Sequence, residues 1–132
     1  MTTVVIAPTV EEGIEELRGT FESAAVSVKP DGEGGAYVRV DPVDLGPPYA
    51  QRATWIGFRV TAQYPYADLY PLFVRHDLSR VDGQPLGEGM SPNAVFDGQP
   101  AVQVSRRSNH LNPATDTAAL KVLKVLGWMA SR

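Results

Sequence analysis

Apolar and polar positions alternate with two different periods along the chain, and the change of period divides it into elements. Near the start, Val10, Ile14 and Leu17 recur at helical spacing, and Glu11, Glu12, Glu15 and Glu16 fill the other side. Thr9 and Glu12 stand three apart, the spacing of a capping box, and Gly19 is a natural stop. A first helix over about 9–19 follows. Its glutamates form either a solvated face or an acidic docking surface. The period then falls to two. Residues 21–28 read as a strand ending at Lys29-Pro30 and the turn Asp31-Gly-Glu-Gly-Gly35. In 36–41, Ala36, Val38 and Val40 alternate with Tyr37, Arg39 and Asp41. Residues 53–63 give the clearest strand, with Ile56, Phe58 and Val60 on one side and Trp55, Gly57, Arg59 and Thr61 on the other. Residues 71–76 make a fourth strand, and the short connections suit an antiparallel meander.

Residues 77–100 lack either period and are rich in glycine and proline, so a long irregular segment is expected there, with 101–104 as a short strand after it. Helical spacing returns from Thr117 to Ala130, after the stop and cap signals of Asn112-Pro113-Ala114-Thr115-Asp116. At 100° per residue, Ala119, Val122, Leu123, Leu126, Met129 and Ala130 fall on one stripe, Lys121 and Lys124 lie opposite, and Trp128 stands beside the lysines. The fold class expected is α+β: an N-terminal helix, a four-stranded antiparallel meander, a long irregular segment and a C-terminal helix.

Composition narrows the range of functions. The 132 residues suit a single domain spanning 1–132, with a core large enough to need no staples. Twelve basic against fifteen acidic residues leave a formal charge of −3, which argues against nucleic acid as the partner. There is no cysteine, so these residues form no disulfide, no thiolate metal site and no thiol nucleophile. With His76 and His110 the only histidines, no metal-ligand spacing emerges, and no metal or other cofactor is expected. No apolar run approaches bilayer length, and the opening MTTVVIAPTVEEG has neither a basic nor a long apolar signal region. A cytoplasmic protein that does not bind membranes is the expectation; oligomeric state is not legible.

Two clusters carry candidate chemistry. In Tyr64-Pro65-Tyr66-Ala67-Asp68-Leu69-Tyr70-Pro71 the prolines stiffen a bend that cannot extend the strand ladder, and the tyrosines give it amphipathic surface. The bend either packs its rings over the core or docks a partner. In Ser105-Arg106-Arg107-Ser108-Asn109-His110 adjacent arginines suit an anion or a partner's carboxylate, or they pair with the chain's own acids. Ser108, His110 and Asp116 are close in order, which leaves open a small enzyme with a non-cysteine site near Ser108 and His110. His76, between Arg75 and Asp77 at a strand end, reads as structural. A small oligomeric structural or chaperone-like protein is a third possibility.

The order of elements, with Tyr64-Pro65 and Pro71 just before the Leu72-Phe73-Val74 strand, resembles the ubiquitin-conjugating-enzyme superfamily, in which a Tyr-Pro…Pro motif sits between the third and fourth strands. The resemblance covers roughly 9–130 in topology. It implies the UBC-like scaffold, and for an active member a His-Pro-Asn motif followed by a cysteine that carries ubiquitin as a thioester. Here Ser108-Asn109-His110 is not that motif, and without cysteine thioester transfer is chemically impossible. The chain is therefore similar to inactive variants, including the partner-binding RWD-type domains and divergent relatives in bacterial conjugation-like gene clusters. Such a pseudoenzyme would bind a ubiquitin-like modifier, an activating enzyme or a sister subunit. Its candidate contact residues are Tyr64, Pro65, Tyr66, Tyr70, Arg106, Arg107, Asn109, His110 and Trp128, with no catalytic residue.

Overall fold

A computed structural model describes residues 5–108 and 110–132. Helix α1 (Pro8–Thr20) is followed by strands β1 (Ala25–Pro30), β2 (Ala36–Asp44), β3 (Ala53–Val60), β4 (Leu72–Arg75), β5 (Met90–Phe96) and β6 (Gln99–Val104), and by helix α2 (Ala118–Ala130). The strands form one sheet in the order β1-β2-β3-β4-β6-β5, antiparallel throughout. The first four make the expected meander. The fold is α+β as the periodicity implied, with six strands rather than four.

Burial follows the alternation. Val38 faces Phe58, Val40 faces Ile56, Ile56 faces Val74 and Val74 faces Val102 across the ladder, and all are buried. The same core takes Val10, Ile14 and Leu17 from α1, and Ala118, Ala119, Val122, Val125 and Met129 from α2. Both helices therefore cover one face of the sheet and touch each other. Burying these apolar side chains at roughly 25 cal/mol per Å² is the main force holding the layers together.

Several boundaries move from their expected places, each for a local reason. Helix α1 starts at Pro8, with Ala7 as its cap and no side-chain capping bond, so Thr9 lies inside the first turn. Proline suits that first position because its fixed φ is already helical and its missing N–H would have had no partner in the helix. The Phe21 amide donates to the Leu17 carbonyl at 2.9 Å, so 21–23 end the helix and β1 begins only at Ala25. Along α2 the buried side is rotated from the expected stripe. Lys121 and Val125 are buried, whereas Leu123 and Ala130 are exposed.

The largest correction concerns 77–100, which contains β5. Its alternation is hidden because Pro92 and Asn93 (φ 66°) sit where the register with β6 shifts, between Ser91 and Ala94. An edge strand tolerates such a break, since only one side of it is paired. The hairpin then turns through Asp97 and Gly98, both at positive φ (46° and 79°), the pair favoured in two-residue hairpin loops.

This hairpin covers part of the sheet face opposite the helices. Phe96 stacks on Phe73 (5.1 Å between ring centroids) and Trp55 (6.0 Å) and meets Tyr37 edge-on (6.1 Å). Asp97 pairs with Lys29 of β1, at the opposite end of the strand order, at 3.0 Å. Gly57 leaves the room for this crossing, because a Cβ there would lie 2.5 Å from the Phe96 ring. Gly57→Val is expected to cost about 1–3 kcal/mol through overpacking. Thermal melts check this, and adding Phe96→Leu should recover part of the loss because the two sites share one contact.

Candidate functional site

The two clusters singled out in the sequence meet at the N-terminal end of α2. The bend between β3 and β4 is tight, with the Tyr64 amide donating to the Thr61 carbonyl (2.9 Å) and the Tyr66 amide to that of Gln63 (2.8 Å). Its three tyrosines take different places. Tyr64 is buried; its hydroxyl accepts a hydrogen bond from the Ala118 amide at 3.0 Å. That amide is among the donors a helix start leaves without intrahelical partners. Thr117 supplies a second cap, its side chain accepting from the Leu120 amide at 3.2 Å. On its other side the Tyr64 ring lies where a Cβ on Gly13 of α1 would come within 2.8 Å. Burial pushes the Tyr64 hydroxyl above its ordinary pKa, so it stays neutral in the core. Tyr64 thus fixes both helices to the bend and offers a partner almost no surface. Pro65 is half-buried beside it. Tyr66 is 76% exposed, and Tyr70 is half-buried under the Arg107 guanidinium, which sits 4.0 Å from the ring centroid.

Asp68, from the same bend, ties down the second cluster. Its Oδ2 accepts from the Ser108 amide at 2.7 Å and its Oδ1 from the Ser108 hydroxyl at 2.8 Å. Lys121 reaches the same place from α2. Its Nζ donates to the Arg106 carbonyl (2.6 Å), to Ser108 Oγ (3.0 Å) and to Asp68 Oδ2 (3.3 Å). Burial would raise the Asp68 pKa, but the Ser108 amide, the Ser108 hydroxyl and the Lys121 ammonium more than offset it and hold the carboxyl below its ordinary value. Burial pushes Lys121 downward, and the Asp68 carboxylate opposes that shift.

The arrangement bears directly on catalysis. A serine nucleophile needs a base with a free lone pair. Lys121 is within reach of Ser108, yet its three donors meet three acceptors, the pattern of an ammonium. Asp68, held below its ordinary pKa, is a weakened base. The geometry is that of a brace pinning the 105–108 segment to the bend and to α2. The hydroxyl partners of Ser108 are Asp68 and Lys121, so the expected neighbours in sequence, His110 and Asp116, do not assemble a triad around it. Asp116 accepts from the Asn112 amide instead (2.7 Å). His110 is exposed at φ 53°; Asn109 lies outside the described residues. His76 is exposed next to the Arg75–Asp77 pair, in which the Arg75 guanidinium pulls the Asp77 carboxyl down to about 2. Among the described residues no three acidic or histidine side chains gather as metal ligands.

Around this brace lies a cationic, aromatic surface. Trp128 is half-buried, its ring lying where a Cβ on Gly89 would come within 2.8 Å. Arg106 and Arg132 lie over the Trp128 ring at 4.8 Å and 4.7 Å. The indole is therefore packed in part against its own chain, and the rest of its surface stays accessible.

Sequence reading missed Asp68 and Lys121 as members of the site. Lys121 stands three residues after Ala118 and four before Val125, both buried, which places it on their side of α2. Asp68, the sole acid in a stiff aromatic bend, is the matching counter-charge. Neither signal is conspicuous without knowing that the two segments meet. No helix of the described residues is long and apolar enough to cross a membrane. The chain matches no family model, no curated protein and no solved structure.

Proposed function

We propose that this chain is a non-catalytic interaction module on a ubiquitin-conjugating-enzyme-like scaffold, working in the cytoplasm. Its partner is a ubiquitin-like modifier, an activating enzyme or a sister subunit of a bacterial conjugation-like system. The contact face comprises Tyr66, Tyr70, Arg106, Arg107 and Trp128. The observation that carries this reading is the division of labour beside α2. Ser108, Asp68 and Lys121 satisfy one another, while two exposed guanidiniums rest on aromatic rings. Arginine and aromatic side chains are the types that dominate protein interfaces. Further support comes from the meander in sequence order, the Tyr-Pro bend directly before β4 and the two helices on one sheet face. The β5–β6 hairpin, which adds two strands before α2, is this chain's departure from that scaffold.

The test is photo-crosslinking in the native cells, with a benzophenone amino acid in place of exposed Tyr66 and, as control, in place of exposed Val95 on the edge strand. One dominant adduct from position 66, absent from position 95 and identified as a ubiquitin-like protein, an activating-enzyme-like protein or a sister subunit of a conjugation-like system, is the expected result. Adducts only to a second copy of the chain, or the same adducts from both positions, would overturn it. Arg107→Ala in the crosslinking chain should reduce the adduct at least tenfold and leave the melting temperature within about 2 °C, since an exposed arginine contributes little to stability.

A further inference from the structure

We infer that the cleft between the 106–108 segment and α2 is a binding site for a phosphate monoester. The cleft measures about 240 Å³ and is lined by Arg106, Arg107, Ser108, Lys121, Lys124 and Val125. Four of its six lining residues are cationic, in a chain whose overall charge is −3. Two carboxylates stand behind them: Asp68 against Lys121 (3.3 Å) and Asp116 against Lys124 (3.7 Å). The two arginines are the positive excess, and neither pairs with a carboxylate among the described residues.

The arginines are also held ready. Arg107 lies over the Tyr70 ring and Arg106 over the Trp128 ring, 4.0 Å and 4.8 Å from the ring centroids. A cation–π contact holds the guanidinium without using its N–H donors on a carboxylate, so they remain free to donate to a ligand. The main chain that carries both arginines is fixed by Lys121, through the Arg106 carbonyl, and by Asp68, through the Ser108 amide. Lys124, with a side chain 70% exposed, supplies a third donor from α2. Donors from two arginines and a lysine on two different segments suit a tetrahedral dianion better than a planar carboxylate. A phosphate monoester carries about −1.5 to −2 charges at neutral pH, which matches the excess. This site stands on the cleft alone and requires no protein partner.

The test is amide NMR of the full chain, titrated at pH 7.5 and constant ionic strength with inorganic phosphate, with acetate and with a phosphoserine peptide beside its unphosphorylated form. Saturable shifts confined to 106–108 and 121–125 are expected. Phosphate should bind at least tenfold more tightly than acetate, and tenfold more weakly at pH 5.5, where it is a monoanion. Arg107→Ala should lose at least tenfold in affinity with its other amide signals unmoved, and Arg52→Ala, an exposed arginine that does not line the cleft, should bind as before. A phosphopeptide that outbinds inorganic phosphate assigns the ester to a protein, and equal binding assigns it to a small molecule. Shifts that do not saturate, equal binding of acetate, or an unchanged Arg107→Ala titration would overturn the site, and the interaction module would survive that result because it invokes no phosphate.

Discussion

Tyr64→Ala is expected to be the most destabilising substitution in the bend, lowering unfolding free energy by about 3–5 kcal/mol. Emptying a buried aromatic site costs about that much when the surroundings relax only in part. Here the ring lies between Gly13 of α1 and the first turn of α2, so the cavity would loosen both helices. The lost cap on the Ala118 amide adds to the cost. Tyr64→Phe isolates that part and should cost about 1 kcal/mol, the ordinary net value of a hydrogen bond. Tyr66→Ala, two residues on and largely exposed, should change stability by no more than about 0.5 kcal/mol. Urea denaturation of the three variants checks the set. A small loss in Tyr64→Ala would mean that the bend is not what anchors the helices.

Lys121→Met is expected to cost about 2–4 kcal/mol at pH 7. The Lys121 side chain is only 8% exposed and that of Asp68 19%, so the carboxylate left behind is poorly hydrated. Removing one partner of a buried ion pair costs more than the pair is worth, because the survivor keeps its desolvation penalty. The double variant Lys121→Met/Asp68→Asn should therefore be more stable than Lys121→Met alone, and the cycle should show clear coupling. The pH dependence has a definite sign. The folded pKa of Asp68 lies below its unfolded value, so its contribution is complete above the ordinary carboxylate pKa of about 3.9 and is lost as pH falls through the lower folded value. The gap between wild type and Lys121→Met should be widest at neutral pH and should narrow in acid. A gap independent of pH between 7 and 3 would show that the ion pair is not the source of the loss.

The meander was legible because its inward positions are apolar and alternate regularly, so one ladder face buries nearly the same residues the pattern selects. β5 was not, because Pro92 and the left-handed Asn93 break its alternation, and an edge strand feels little pressure to restore it. The Asp97-Gly98 turn was its one clear local mark. In α2 the stripe was misjudged by about one residue. A lysine on the buried side looks wrong until its counter-charge is known, and Asp68 lies 53 residues away in sequence. The aromatic bend and the arginine pair were both visible as clusters. Their contact was not, since it is made by long-range hydrogen bonds to Ser108 and by stacking of Arg107 on Tyr70.

In the proposed reading Ser108, Asp68 and Lys121 brace the chain rather than react. The charge state of Lys121 decides between the two roles, because a brace needs an ammonium and a general base needs a free amine. ¹⁵N NMR of the Lys121 side chain at pH 7.5 reads it directly. The result in line with the brace is an ammonium signal with hydrogen exchange far slower than that of exposed Lys124. A neutral amine at that pH, exchanging freely beside Ser108 Oγ, would contradict it and turn the site into a serine–lysine pair poised for acyl chemistry.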